Sequence, residues 1–274
     1  MDHAAPRPLP PGRIARWWAV TALLTVLWEW SGLDRLVMQL IGTPTGFALQ
    51  HTWWLERVLH EGVRQLAVLV FAALWIWALW PPGAESLPRR ERVAAMALAS
   101  LSLLAVNLVK NHSLTSCPWD WRQFGGLAEP VAHWRWGVPD GGPGRCFPGG
   151  HTSSAFGFLA LCLPWLAPPS GASRPPAPGF RWLGGVLAAG LLAGAVQTLR
   201  GAHPPSHTLW TLLICSGVAL VGWRLMPAVE TIRRRAAPKA DQPPWGAASR
   251  AAAQRGGNLT SPIPAARADR PASP

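Results

Sequence analysis

Three short segments of this 274-residue chain gather residue types that can hold and attack an anion. The first is Lys110-Asn111-His112-Ser113-Leu114-Thr115-Ser116-Cys117-Pro118-Trp119-Asp120. The second is Cys146-Phe147-Pro148-Gly149-Gly150-His151-Thr152-Ser153-Ser154. The third is Arg200-Gly201-Ala202-His203-Pro204-Pro205-Ser206-His207. Lys110 and Arg200 are cations. Gly149 and Gly150 let a backbone approach an anion closely, and the helix expected to start there has free N–H groups at its N-terminus. His151 stands at that terminus, where it can donate a proton. His203 precedes two prolines, which suit a first helical turn because they bring no N–H. His207 lies one turn later on the same face. A histidine near cations, a second histidine and an N–H cradle are the parts needed for phosphoryl transfer through a covalent phosphohistidine.

The elements that must carry these segments are apolar. Hydrophobic residues make up 49% of the chain and charged residues 14%, with 18 Trp, 7 Phe and no Tyr. So few charges exclude a disordered chain or a coiled coil, and four cysteines exclude a disulfide-dense scaffold. Six apolar stretches, at about 14–33, 63–80, 93–109, 151–167, 182–199 and 208–226, each approach the length that crosses a bilayer. None alternates like a strand, so the fold class is all-α: a polytopic membrane protein with six transmembrane helices and a long outer loop. Trp17, Trp18, Trp28, Trp30, Trp80 and Trp182 fall near span ends, as in interfacial belts. The first stretch is followed by Trp28-Glu29-Trp30 rather than a small-residue cleavage site, so it reads as a retained anchor.

With both termini in the cytoplasm, 17 of the 25 basic residues fall inside, including Arg89, Arg90, Arg92, Arg174, Arg181 and the run Arg233–Arg235. The positive-inside rule selects that orientation, and it makes the +12 net charge a topology signal rather than a nucleic-acid footprint. It also puts the three segments at one outer face, where spans three to six bring them together. The expected organisation is a cytoplasmic N-terminus (1–13), two spans with their loops (14–92), a core of four spans (93–226) and a disordered basic cytoplasmic tail (227–274).

The motifs and the six-span frame resemble the type 2 phosphatidic acid phosphatase (PAP2) superfamily over about residues 93–223. Lys110 matches that family's Lys, Pro148-Gly149-Gly150-His151 matches its Pro-Ser-Gly-His with Gly149 for Ser, and His203 matches its nucleophilic His. Three positions depart from the pattern: Cys117 and Gln197 stand where the family has Arg, and His207 where it has Asp. Arg200, one turn after Gln197, shares its face and can reach the phosphate instead; Arg122 and Arg145 are the other candidates for the missing guanidinium, and Asp120 for the missing carboxylate. The resemblance implies catalytic His203, His151 and His207, with Lys110, Arg200, Gly149 and Gly150 binding phosphate. It implies no metal and no cofactor. The substrate would be a lipid phosphate or pyrophosphate, met at the periplasmic face of a bacterial inner membrane, with water or a second acceptor taking the phosphoryl group. A disulfide between Cys117 and Cys146 fits an oxidising outer compartment and would explain why Cys replaces Arg; two unpaired thiols are the alternative.

Two other classes compete. His203, His207 and His151 could ligate zinc, although the adjacent Lys and Arg would repel a cation. A transporter would call for broken spans and inverted repeats. Gly190 and Gly194 read as helix-packing residues, Cys162 and Cys215 as core, and Glu29, Asp34, Glu56, Glu61, His51, His60 and His133 as loop residues.

Overall fold

A computed structural model describes residues 11–80, 87–135, 137–169, 172 and 174–236. The chain divides into two units, Met1–Pro227 and Ala228–Pro274. In the second, residues 228–236 are helical, and the tail from 237 onward lies outside the described residues, as does the N-terminus before residue 11.

The first unit is helical. Helices α1 (Pro11–Trp30) and α2 (Leu33–Ile41) lead into a two-residue hairpin, Gly42–Thr43 against Gly46–Phe47. A π-helical segment, Trp54–Gly62, runs directly into α3 (Val63–Leu79). Helix α4 covers Arg89–His112. After a long loop come α5 (Gly150–Phe156), a 3-10 segment (Gly157–Cys162) and α6 (Leu163–Leu166). Helix α7 (Ala177–Leu199) and, as far as Pro227, α8 (Pro205–Ala236) complete it.

Four helical stretches are long and apolar enough to cross a membrane: Trp54–Leu79, Arg89–His112, Ala177–Leu199 and Pro205–Met226. The sequence predicts six. The first predicted span is a 20-residue helix, but Arg13, Arg16 and Glu29 dilute its hydropathy. The fourth is broken into three pieces. Pro164 lies in the first turn of α6 and brings no N–H, and the stretch before it tightens to 3-10 pairing. Such a break is tolerable because Phe158, Leu159, Ala160, Leu161, Cys162 and Leu163 are all buried in protein rather than exposed to lipid.

This broken segment is the pillar of the core. Ala95, Met96, Ala99 and Val106 of α4 pack in one cluster with Phe156, Val186 of α7, and Cys215, Ala219 and Trp223 of α8. Small residues let the helices close. A Cβ at Gly190 would stand 2.1 Å from the Phe156 ring, and one at Gly194 would stand 2.4 Å from Thr208. Cys162 and Cys215 are buried free thiols in this core. A second, smaller cluster of Met38, Phe47, Trp121, Phe124 and Ala128 joins α2 and the hairpin to the long loop.

Candidate functional site

The last turn of α4 carries Lys110, and α5 begins beside it. A Cβ on Gly150 would lie 3.5 Å from Lys110 Cδ and 3.9 Å from its Nζ, ordinary contact distances that place the Lys110 side chain against the start of α5. His151 follows, its ring centroid 3.8 Å from that of His60. His60 comes from the π-helical segment before α3, and its Nδ1 is 3.5 Å from Gln197 Nε2. It reads from sequence as a loop residue, and the structure corrects this: His60 is part of the site. The only signal that could have found it is its place at the end of an apolar span.

Gly149 is built in differently from Gly150. Its N–H faces the His207 carbonyl at 3.4 Å, and its own carbonyl accepts bonds from the Thr152 and Thr211 hydroxyls. It ties α5 to α8, and Gly150 and His151 open α5.

His203 sits in the turn between α7 and α8. Gly201 makes that turn with φ +75°, and a Cβ there would be 2.2 Å from the Phe47 ring. The backbone N–H groups of Ala202 and His203 both donate to the Gln197 carbonyl. At the start of α8, Asp34 Oδ1 accepts from Ser206 N at 3.0 Å and from Trp28 Nε1 at 2.8 Å. Asp34 therefore caps the helix that carries His207, and burial pushes its carboxyl above the ordinary range. His203 Nδ1 lies 3.2 Å from His207 Nδ1. Burial first, and then His207 and Lys110, hold His203 well below its usual basicity, which favours the neutral ring. A neutral imidazole with its proton shared at Nδ1 keeps a lone pair on Nε2.

Cys117 and Cys146 are joined in a disulfide, with Cα atoms 5.1 Å apart. Cys146 Sγ is 3.3 Å from His203 Nδ1 and 3.0 Å from the Ala202 carbonyl oxygen. Backbone bonds from Arg145 to Ser113 and from Cys146 to Thr115 hold the two loop arms side by side. Asp140 organises the loop by accepting from Ser116 N, Ser116 Oγ and Gly142 N.

Of the candidate cations, Arg200 is buried; its Nε donates to the Gln50 carbonyl at 3.1 Å, and its guanidinium is 4.0 Å from Glu56. Its charge acts on both His60 and His151, as does that of Arg64, which sequence reasoning missed. Arg122 instead pairs with Glu129 at 3.1 Å on the surface, and Arg145 is exposed at φ 58°. Asp120 bonds the Cys117 backbone and Trp119, and burial raises its carboxyl; among the described residues no bond or ion pair joins it to His203.

Two acids expected to be solvated are partly buried instead. Besides Asp34, Glu29 bonds His133 Nδ1 at 2.8 Å and Trp210 Nε1 at 2.6 Å. His133, also expected in a solvated loop, stacks on Phe147 with centroids 3.7 Å apart, and its ring lies edge-on to His207. This packing fixes the far side of His207.

A cavity of 610 Å³ opens from His151 between α3 and α7. Its walls are apolar, with Leu66, Val70, Phe158 and Val186 among them, and Arg181 and Trp182 stand at the other end. His151 is the one histidine that lines it. The zinc trio His151, His203 and His207 is not gathered as a ligand set. Among the described residues the one group with metal-ligand proximity is Cys117, Cys146 and His203, whose two sulfurs are bonded to each other.

No curated protein and no solved structure matches the chain. The PAP2 superfamily model matches residues 92–230, which takes in all three motif segments and every helix from α4 to the membrane-spanning part of α8. The chain belongs to the PAP2 superfamily, whose members are in general phosphatases.

Proposed function

We propose that the protein is a membrane phosphatase or phosphotransferase for amphiphilic phosphates or pyrophosphates, working through a phosphohistidine on His203. The observation that carries this reading is the meeting of Lys110, His151 and His203 at the head of a long apolar cavity. A polar head needs the first set of groups; a lipid chain needs the second.

His203 Nε2 attacks phosphorus while Lys110, Arg200 and the Gly150 and His151 amides hold the phosphoryl oxygens. His207 takes the hydrogen bond from His203 Nδ1–H, the task a carboxylate has in the family pattern. His151 protonates the leaving oxygen. It then takes a proton from water or a second acceptor, whose oxygen displaces His203 and releases the phosphoryl group. The positive-inside bias supports a site on the outer, periplasmic face of a bacterial inner membrane.

The test is to offer the detergent-purified protein phosphatidate, isoprenoid pyrophosphates and water-soluble phosphate esters, and to measure released phosphate. Turnover of the lipids with little of the soluble esters is expected. No release from any lipid phosphate, with no transfer to an added acceptor lipid, would overturn the reading.

A further inference from the structure

The disulfide touches the reacting histidine, a placement that a purely structural bridge does not require. Cys146 Sγ stands 3.3 Å from His203 Nδ1, and His207 Nδ1 stands 3.2 Å from that same nitrogen. The sulfurs of Cys117 and Cys146 and a ring nitrogen of His203 all lie within 4.8 Å of one another. A tetrahedral zinc ion with Zn–S of 2.3 Å and Zn–N of 2.0–2.1 Å needs edges of about 3.6 Å between S and N and about 3.3 Å between two N atoms. The edge between Cys146 and His203 is therefore nearly in place. The two sulfurs, bonded to each other, are too close to serve as separate ligands, and breaking their bond would free them to move apart.

We propose that the Cys117–Cys146 disulfide masks a zinc site, and that once it is reduced, the two thiolates and His203 Nδ1 bind Zn2+ and silence the enzyme. Charge explains why the bridge decides the matter. Oxidised, the group has only neutral ligands beside Lys110, and a dication is repelled. Reduced, two thiolates balance the charge of the ion, and the repulsion is cancelled.

The chemistry balances. A dithiol reductant attacks Cys117 Sγ, since Cys117 is the less buried residue of the pair, and the thiolate of the buried Cys146 leaves. The second thiol of the reductant resolves the mixed disulfide, so two electrons pass from the dithiol to the bridge. Zinc then displaces the thiol protons to solvent. With the ion on Nδ1, His203 loses its hydrogen bond to His207 and the electron density that its Nε2 needs for attack. The protein would be silent wherever the bridge has not formed.

The silencing rests on His203 acting in phosphoryl transfer; the binding does not. The probe is Co2+ alone, added to the full-length protein in detergent, stripped of metal, with and without a phosphine reductant. Reduced protein should show thiolate-to-cobalt charge-transfer absorption that Zn2+ abolishes, while oxidised protein, which still carries the Cys162 and Cys215 thiols, should show none. Zinc should also slow alkylation of Cys117 and Cys146. Phosphate release by the reduced protein should fall at least about tenfold with Zn2+ and return with a chelator, with the oxidised protein unaffected. Absence of the cobalt band together with unslowed alkylation overturns the site. Cobalt binding with undiminished phosphate release overturns the switch. A preparation that releases no phosphate from any substrate fails the phosphatase reading alone, and the cobalt band still decides the site.

Discussion

Helix α4 has a charged group near each end, and the two ends treat charge in opposite ways. Lys110 and Glu91 are about 28 Å apart along it. At the Glu91 end the buried charges are answered. Glu91 is almost wholly buried and pairs with Arg174 through both guanidinium nitrogens, and Arg92 donates to the carbonyls of Trp77 and Leu87 while lying over the Trp77 ring. At the Lys110 end, no carboxylate among the described residues comes within 4 Å of Lys110, and Arg200 has only a carbonyl and a half-exposed Glu56. Buried charge without a partner is unfavourable and is kept where it works. The first end is built to hold the fold together. The second is where the proposed reaction needs cations to hold a phosphate.

That contrast is open to test by substitution. The largest effect belongs to His203→Ala, which should lower phosphate release by about 10³-fold or more with normal expression. Next come Arg200→Ala and Lys110→Met, each expected to cost about a hundredfold in turnover as charge stabilisation is lost. Arg200→Lys should recover only part, because Lys has no planar fork. At the other end, Glu91→Gln should leave turnover per folded molecule unchanged but lower the melting temperature in detergent, with up to about 3 kcal/mol lost from a pair that is almost dry on one side. A fall in turnover with no change in melting would erase the distinction between the ends. The smallest effect is His60→Ala, about tenfold in turnover, through loss of the ring that positions His151.

The pH profile sharpens the same contrast. His203 is depressed below its ordinary 6.5 by burial and by the nearby cationic groups. It stays unprotonated and nucleophilic as pH falls through 6.5, so an acid limb due to this residue lies lower than that. Removing the Lys110 charge should move the limb upward, toward 6.5. A limb that stays fixed in Lys110→Met would mean that the ammonium does not face His203.

The motif segments were legible because each is continuous in sequence and sits at a helix end: Lys110 in the last turn of α4, Gly150 and His151 opening α5, His203 just before α8. The residues that complete the site come from elsewhere in the chain. His60 and Arg64 lie on the α3 stretch, and Asp34 and Glu29 belong to α2 and α1, outside the family core. Nothing in local spacing says that Glu29 meets His133 or that Asp34 meets Ser206, since such pairs exist only after the helices pack. The break in the fourth span was hidden for a related reason. Hydropathy registers how apolar 151–167 is, but burial by protein on all sides looks the same as burial by lipid. Glu91 and Arg174 were hidden likewise: Arg174 counts toward the inside charge bias, and only the fold shows that it is also a buried partner.

The central claim is that His203 becomes phosphorylated at the end of the bundle where Lys110 lies. It is tested most directly by mixing the protein with a lipid phosphate labelled at phosphorus, quenching in base within one turnover, and mapping the labelled peptide. The account predicts an acid-labile, base-stable label on the peptide containing His203, absent from His203→Ala and accumulating in His151→Ala if water activation limits that variant. Label on another residue, or near-normal turnover by His203→Ala, would contradict it.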